Sequence, residues 1–182
     1  MAEFVVLIDH NDGVASRATT ELLTMARNLG EVHAVFVGLA GTEGKSQDIA
    51  AEFGAVKFSA FITSDHHPVA PSVSALSRIA EDNPTAILFT SSAKGKEIAG
   101  RLAVRIGAGV ITDAIDFDAD LVATQSIFGG STVVHSKVVR NIPLVTIRPN
   151  ACEPIPSPAS PQSKDRKSTR LNSSHEWISR MP

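Results

Sequence analysis

Predominantly apolar runs of four to eight residues alternate with longer stretches whose apolar side chains recur every three or four positions, and the connections between them are short. "EFVVLID" opens the series and is closed by the turn residues Asn11, Asp12 and Gly13. A continuous apolar run of this length suits a strand buried on both faces of a parallel sheet. In 15–29 the set Ala18, Leu22, Met25, Ala26 and Leu29 has helical spacing, with Gly30 where a left-handed C-cap belongs. "EVHAVFVG", "KSQDIAAEFGA", "VKFSAFI", "PVAPSVSALSRIAEDNP" and "TAILFT" then read as strand, helix, strand, helix and strand. A further helix carries Ile98, Leu102 and Ile106 on one face. Such alternation predicts an α/β fold with a mostly parallel, doubly wound sheet flanked by helices. After Gly107 only β-branched runs remain, "GVITDAIDF", "DLVATQSIFGG", "STVVHSKVV" and "IPLVTIRP", which predict a hairpin and closing strands in the last third.

A chain of 182 residues with 43% hydrophobic side chains can bury one core of α/β size, with little left for a second domain. The net charge of -2 is small and the basic residues are scattered, which excludes nucleic acid and acidic membrane surfaces as partners. The single cysteine, Cys152, has no partner for an internal disulfide and fits a reducing compartment. A strand-like run follows Met1 directly, so a signal peptide, a transit peptide or direct membrane insertion is not expected, and a bacterial cytoplasmic location is.

Three segments are expected: a folded domain over 1–150, a Pro/Ser-rich linker over 151–164, "ACEPIPSPASPQSK", and a tail over 165–182. The tail has no helical or strand period, and "DRKSTRLNSSH" resembles the translation of a sequencing-library adapter, so it is set aside as foreign.

"TSSAKGKEIAGRLAVRIGAGVITDA" invites comparison with phosphate-binding loops. A P-loop needs glycine where Thr90 stands and a hydroxyl residue where Glu97 stands. Gly107 and Gly109 lack a third glycine at Thr112 and precede a strand, whereas a dinucleotide fingerprint opens a helix. Glu97, Arg101 and Arg105, spaced four apart, form a charged stripe that suits either a solvated surface or a partner contact. Asp116, Asp118 and Asp120 have calcium-loop spacing, but Leu121 replaces the turn glycine and Ile127 the closing glutamate. Asp65, His66 and His67 read as a helix-entry loop, and Asp9 with Asp12 as turn formers. His33 and His135 stand singly in strands, and no nucleophile elbow occurs; neither a catalytic set nor a metal site is expected.

Taken together, "GKEIAGRLAVRIGAGVITDA", "QSIFGG", "IPLVTIRPNA" and the opening "VVLIDHNDG" resemble the N-terminal domain of the electron transfer flavoprotein alpha subunit, from Met1 to about Ala151. The resemblance implies a Rossmann-like domain that serves as scaffold and heterodimerisation surface, packed against the similarly folded beta subunit. It implies an electron carrier, not an enzyme, taking electrons from acyl-CoA or other dehydrogenases and passing them to a quinone oxidoreductase. FAD would be bound mainly by a C-terminal domain whose motifs do not occur here, so no FAD-binding residue is assigned and no cofactor is expected on this truncated chain. The family-motif and partner-contact candidates are Gly95, Lys96, Glu97, Arg101, Arg105, Asp113, Phe128, Gly129, Gly130 and Arg148. The alternative is a stand-alone adenine-nucleotide-binding module of the nucleotide hydrolase-like class, suggested by the same βα units and the loop from Asp9 to Gly13.

Overall fold

In a computed structural model, which describes residues 2–64 and 67–165, the alternation becomes a nine-stranded sheet with helices on both faces. The elements are β1 (Glu3–Leu7), β2 (His10–Asn11), β3 (Val14–Ala15), α1 (Arg17–Leu29), β4 (Glu31–Gly38), α2 (Glu43–Glu52), β5 (Lys57–Ile62) and α3 (Ala70–Ala80). They continue with β6 (Ala86–Thr90), α4 (Ala93–Ile106), β7 (Val110–Phe117), β8 (Val122–Ile127), a 3-10 turn (Phe128–Gly130), β9 (Thr132–Lys137), β10 (Leu144–Ile147) and β11 (Gln162–Asp165).

The strand order among the described residues is β11-β5-β4-β1-β6-β10-β7-β8-β9. Pairing is parallel from β11 through β7, and antiparallel from β7 to β8 and from β8 to β9. The chain runs outward from β1 in one direction through β4 and β5, then restarts at β6 on the other side of β1. Order therefore reverses between β1 and β6, the point where open α/β sheets have their crevice.

The apolar runs divide cleanly between two cores because successive strand residues face opposite ways. Phe4, Val6 and Ile8 of the first run and its extension pack with Leu22, Leu23 and Ala50 of α1 and α2. Val5 and Leu7 pack with Leu76, Ile79, Ile98 and Leu102 of α3 and α4. The predicted strands and helices are thus present, and the last third supplies the expected hairpin, β8–β9.

Three details differ from the sequence reading. Helix α1 starts at Arg17, because residues 10–15 first make the small antiparallel hairpin of β2 and β3. Ser16 caps the helix by accepting from the Thr19 N–H at 3.3 Å. Gly30 has φ 171°, which is extended and not left-handed; glycine stands there because a Cβ would lie 2.5 Å from the Ala2 carbonyl oxygen. The Pro/Ser-rich stretch is extended but tied down. The amide of Asn150, just before it, and its own amides at Ile155, Ser157 and Ala159 donate to Glu21 and Thr24 of α1 and to Glu52 and Ala51 of α2. It ends in β11, which pairs with the outer edge of β5 through Asp165, across the junction drawn between linker and tail. Residues 166–182 lie outside the described residues.

Candidate functional site

The Gly-Lys pair of the α4 entry has a structural explanation. Strand β6 ends at Thr90, and Ser92 caps α4 by accepting from the Gly95 N–H at 3.0 Å. A Cβ at Gly95 would sit 2.1 Å from the Thr90 carbonyl oxygen. Glycine is required there so that the helix can press against the strand end, and the space a phosphate cradle would keep open is filled by the protein's own backbone.

Lys96 then reaches across to β7. Its Nζ lies 2.7 Å from Asp113 Oδ1, which also accepts a 2.7 Å hydrogen bond from the Ser91 hydroxyl. Asp113 has φ 59°, the left-handed region that Asp tolerates better than most residues, in the middle of a strand. Its N–H donates to Thr146 Oγ1 at 3.0 Å, and Thr146 is fully buried on β10 with its Oγ1 3.0 Å from Ser91 Oγ. Arg148, two residues on, is fixed by its N–H to the Ala114 carbonyl at 2.8 Å and brings Nε to 3.9 Å from Asp113 Oδ1. Burial pushes the Asp113 carboxyl up, but the hydrogen bonds from Lys96 and Ser91 and the charges of Lys96 and Arg148 outweigh it and hold the group below its ordinary range. The result is a cluster of two cations, one anion and two hydroxyls at the carboxyl ends of β6 and β10, beside the middle of β7.

Of the predicted residues, Lys96, Asp113 and Arg148 are brought together and Gly95 lies at their base. Glu97 and Arg101 pair with each other at 2.6 Å on the exposed face of α4, and Arg105 donates to Ser74 of α3 at 3.3 Å. Phe128, Gly129 and Gly130 form the β8–β9 turn, all with positive φ, and hold the Phe128 ring 82% exposed. Ser91 and Thr146 were not foreseen. Single hydroxyl residues at strand ends carry no periodic signal.

A second unforeseen group lies at the amino ends of β1, β4 and β5. His33 Nδ1 is 3.0 Å from Glu3 Oε1 and its Nε2 is 2.9 Å from Ser59 Oγ, while Lys57 Nζ pairs with Glu3 Oε2 at 3.0 Å. The Glu–His–Ser order resembles a hydrolytic triad. Ser59 is only 1% exposed, so a substrate carbonyl has no approach and the relay ties strands together instead.

The remaining motifs are local structure. Asp118 Oδ1 accepts from the N–H groups of Asp120 and Val122 at 2.9 and 3.0 Å, a turn-forming pattern. His67 Nδ1 accepts from Val69 and Ala70 at the entry to α3, while Asp65 and His66 lie outside the described residues. Asp9 accepts from the Thr90 hydroxyl at 3.3 Å across the β1–β6 crevice. Beside it a cleft of about 140 Å³ is lined by His10, Asp12, Thr42, Thr63, His67 and Lys94, among others. His10 stacks on Phe36 at 4.4 Å; since its Nδ1 accepts from the Gly13 N–H, its Nε2 carries the proton donated to the Val37 carbonyl. No group of three metal-ligating side chains occurs among the described residues. Nor is any described helix long and apolar enough to cross a membrane.

Comparison with known proteins agrees with the quoted motifs. The family model for the electron transfer flavoprotein domain matches residues 4–174. The electron transfer flavoprotein subunit alpha of Mycobacterium leprae is 38% identical over 160 residues, 86% of this chain and 50% of that protein. The same subunit of Mycobacterium tuberculosis is 39% identical over the same coverage, and that of Syntrophomonas wolfei 29% identical over 159 residues, 84% of this chain and 50% of its own length. The chain thus spans about half the length of these relatives, in their N-terminal region. It belongs to the electron transfer flavoprotein family and corresponds to the N-terminal domain of the alpha subunit.

Proposed function

We propose that this chain is the scaffold and heterodimerisation half of an electron transfer flavoprotein alpha subunit, a carrier that passes electrons between other proteins through FAD. The observation that carries the reading is the match to alpha subunits over their N-terminal half, in a fold whose Gly95 serves helix packing. FAD itself does not fit the residues described here. Sites for molecules of that kind occupy about 300 to 1,000 Å³, whereas the cleft at His10, Asp12 and Lys94 offers about 140 Å³, and the Gly95 position is closed by Thr90. FAD, which supplies the redox chemistry when bound, would be held by the further half that these relatives possess, together with a beta subunit. This chain's part is positional: it presents a sheet with Lys96, Asp113 and Arg148 at the carboxyl end of its inner strands and Phe128 on an exposed turn, as contact points for the beta subunit.

In the complete carrier, acyl-CoA or other dehydrogenases would donate electrons and a quinone oxidoreductase would accept them, in a bacterial cytoplasm. We read 1–150 as the domain, 151–164 as its strap and 165–182 as foreign; sequencing the source gene past the Ser163 codon tests this by meeting, or failing to meet, a coding continuation. The functional test is co-expression with a beta subunit from the same source. A co-purifying pair is expected, and a beta subunit that elutes alone would refute the reading. The purified chain alone is expected to show no flavin absorbance. The adenine-nucleotide alternative draws on the crevice at Asp9 and Lys94, but its volume of about 10 Å³ counts against it, and calorimetry with AMP and ATP is expected to show no heat.

A further inference from the structure

Arg148 directly follows β10 in the interior of the sheet. Its backbone is pinned to β7, yet among the described residues its guanidinium makes no hydrogen bond, its nearest acid being Asp113 at 3.9 Å. Asp113 Oδ1 is already taken by Lys96 and Ser91, both at 2.7 Å. Two cations thus share one carboxylate, and one positive charge is left over at the carboxyl end of the inner strands. Arginine presents five donors in a planar fork that matches a carboxylate, and here the one carboxylate beside it, Asp113, stays at 3.9 Å from Nε, beyond hydrogen-bond distance.

The three charged side chains are 34 to 42% exposed, an open surface and not an enclosed pocket. That geometry suits an acidic side chain carried in on another protein better than a small free anion, which would have to compete with Asp113 for the same donors. We propose that Arg148, held by β10 and flanked by Lys96, is the docking point for an Asp or Glu side chain of the beta subunit, with Asp113 limiting the local charge. The inference rests on the heterodimer reading above and adds the chemistry of the contact. Charges at such rims act mainly on association rate and salt dependence.

The test measures association of the full chain with a beta subunit from the same source, by stopped flow across a range of salt. Arg148→Gln should slow association several-fold at low salt, and the loss should fade as salt approaches about 1 M, where the Debye length is about 3 Å. Asp113→Asn keeps a residue that tolerates positive φ and should speed association, an opposite sign that misfolding would not produce. Arg148→Lys should keep the rate but shorten the complex's lifetime. Lys45→Gln, an exposed change on α2, should match wild type. If wild type binds and the Arg148 and Asp113 variants behave like Lys45→Gln, the docking point is wrong and the heterodimer stands. If wild type does not bind, both fall.

Discussion

Two glycines in α4 make opposite predictions from the same substitution. Gly95→Ala would drive a methyl group to 2.1 Å from a backbone oxygen, so the helix entry must shift. A loss of about 1 to 3 kcal/mol is expected in denaturant unfolding, as for other overpacked sites. Gly100 is exposed with nothing within 4 Å of its missing Cβ. Gly100→Ala should instead stabilise by up to about 1 kcal/mol, the helix-propensity difference. The acid limb of stability should report Asp113. Its folded pKa is lowered from 3.8, so its contribution is present above that value and is lost as the pH falls through the folded pKa; Asp113→Asn should flatten the acid limb. At the alkaline end, burial, then Glu21 and Asp116, push the Cys152 thiol up from 9.0. That contribution is present below the unfolded pKa and is lost as the pH rises through the folded one. Native Cys152 should therefore alkylate more slowly than the unfolded chain at pH about 8.5, near the pKa of a free thiol.

At the level of elements, the strap matters because of where it ends. Strand β11 occupies the outer edge of β5, which would otherwise offer unpaired backbone groups to another chain. Ending the protein after Pro161 should leave that edge bare, and light scattering should show concentration-dependent association absent from the longer chain. This strand could not be read from the sequence. "QSKD" has no apolar alternation, and its pairing is set by the path of the preceding residues over α1 and α2, through Thr24, Glu52 and Ala51. The parallel strands, by contrast, were legible because burial on both faces demands largely apolar runs. The Lys96–Asp113–Arg148 cluster was half legible. Its members stood in quoted motifs, but their meeting depends on β10 inserting between β6 and β7, and no periodicity records strand order. The Glu3–His33–Ser59 relay depends likewise on the register of three parallel strands.

Across the whole molecule, the elements sort by position in the sheet and not by position in the chain. The β1–β6 crevice and the charged cluster both lie at the carboxyl edge, whereas the buried relay secures the opposite edge. Strand β10 is the piece out of order: it pairs with β6 on one side and β7 on the other, although the whole β8–β9 hairpin precedes it in sequence. A nascent chain that has emerged only as far as the hairpin therefore holds a sheet with a gap at its middle, its Ile87 and Ile111 without the Leu144 and Val145 that lie between them. Synthesis must deliver residue 147 beyond the ribosome before the two halves can close, so ribosome-bound chains short of that point should be cut by protease and those past it protected.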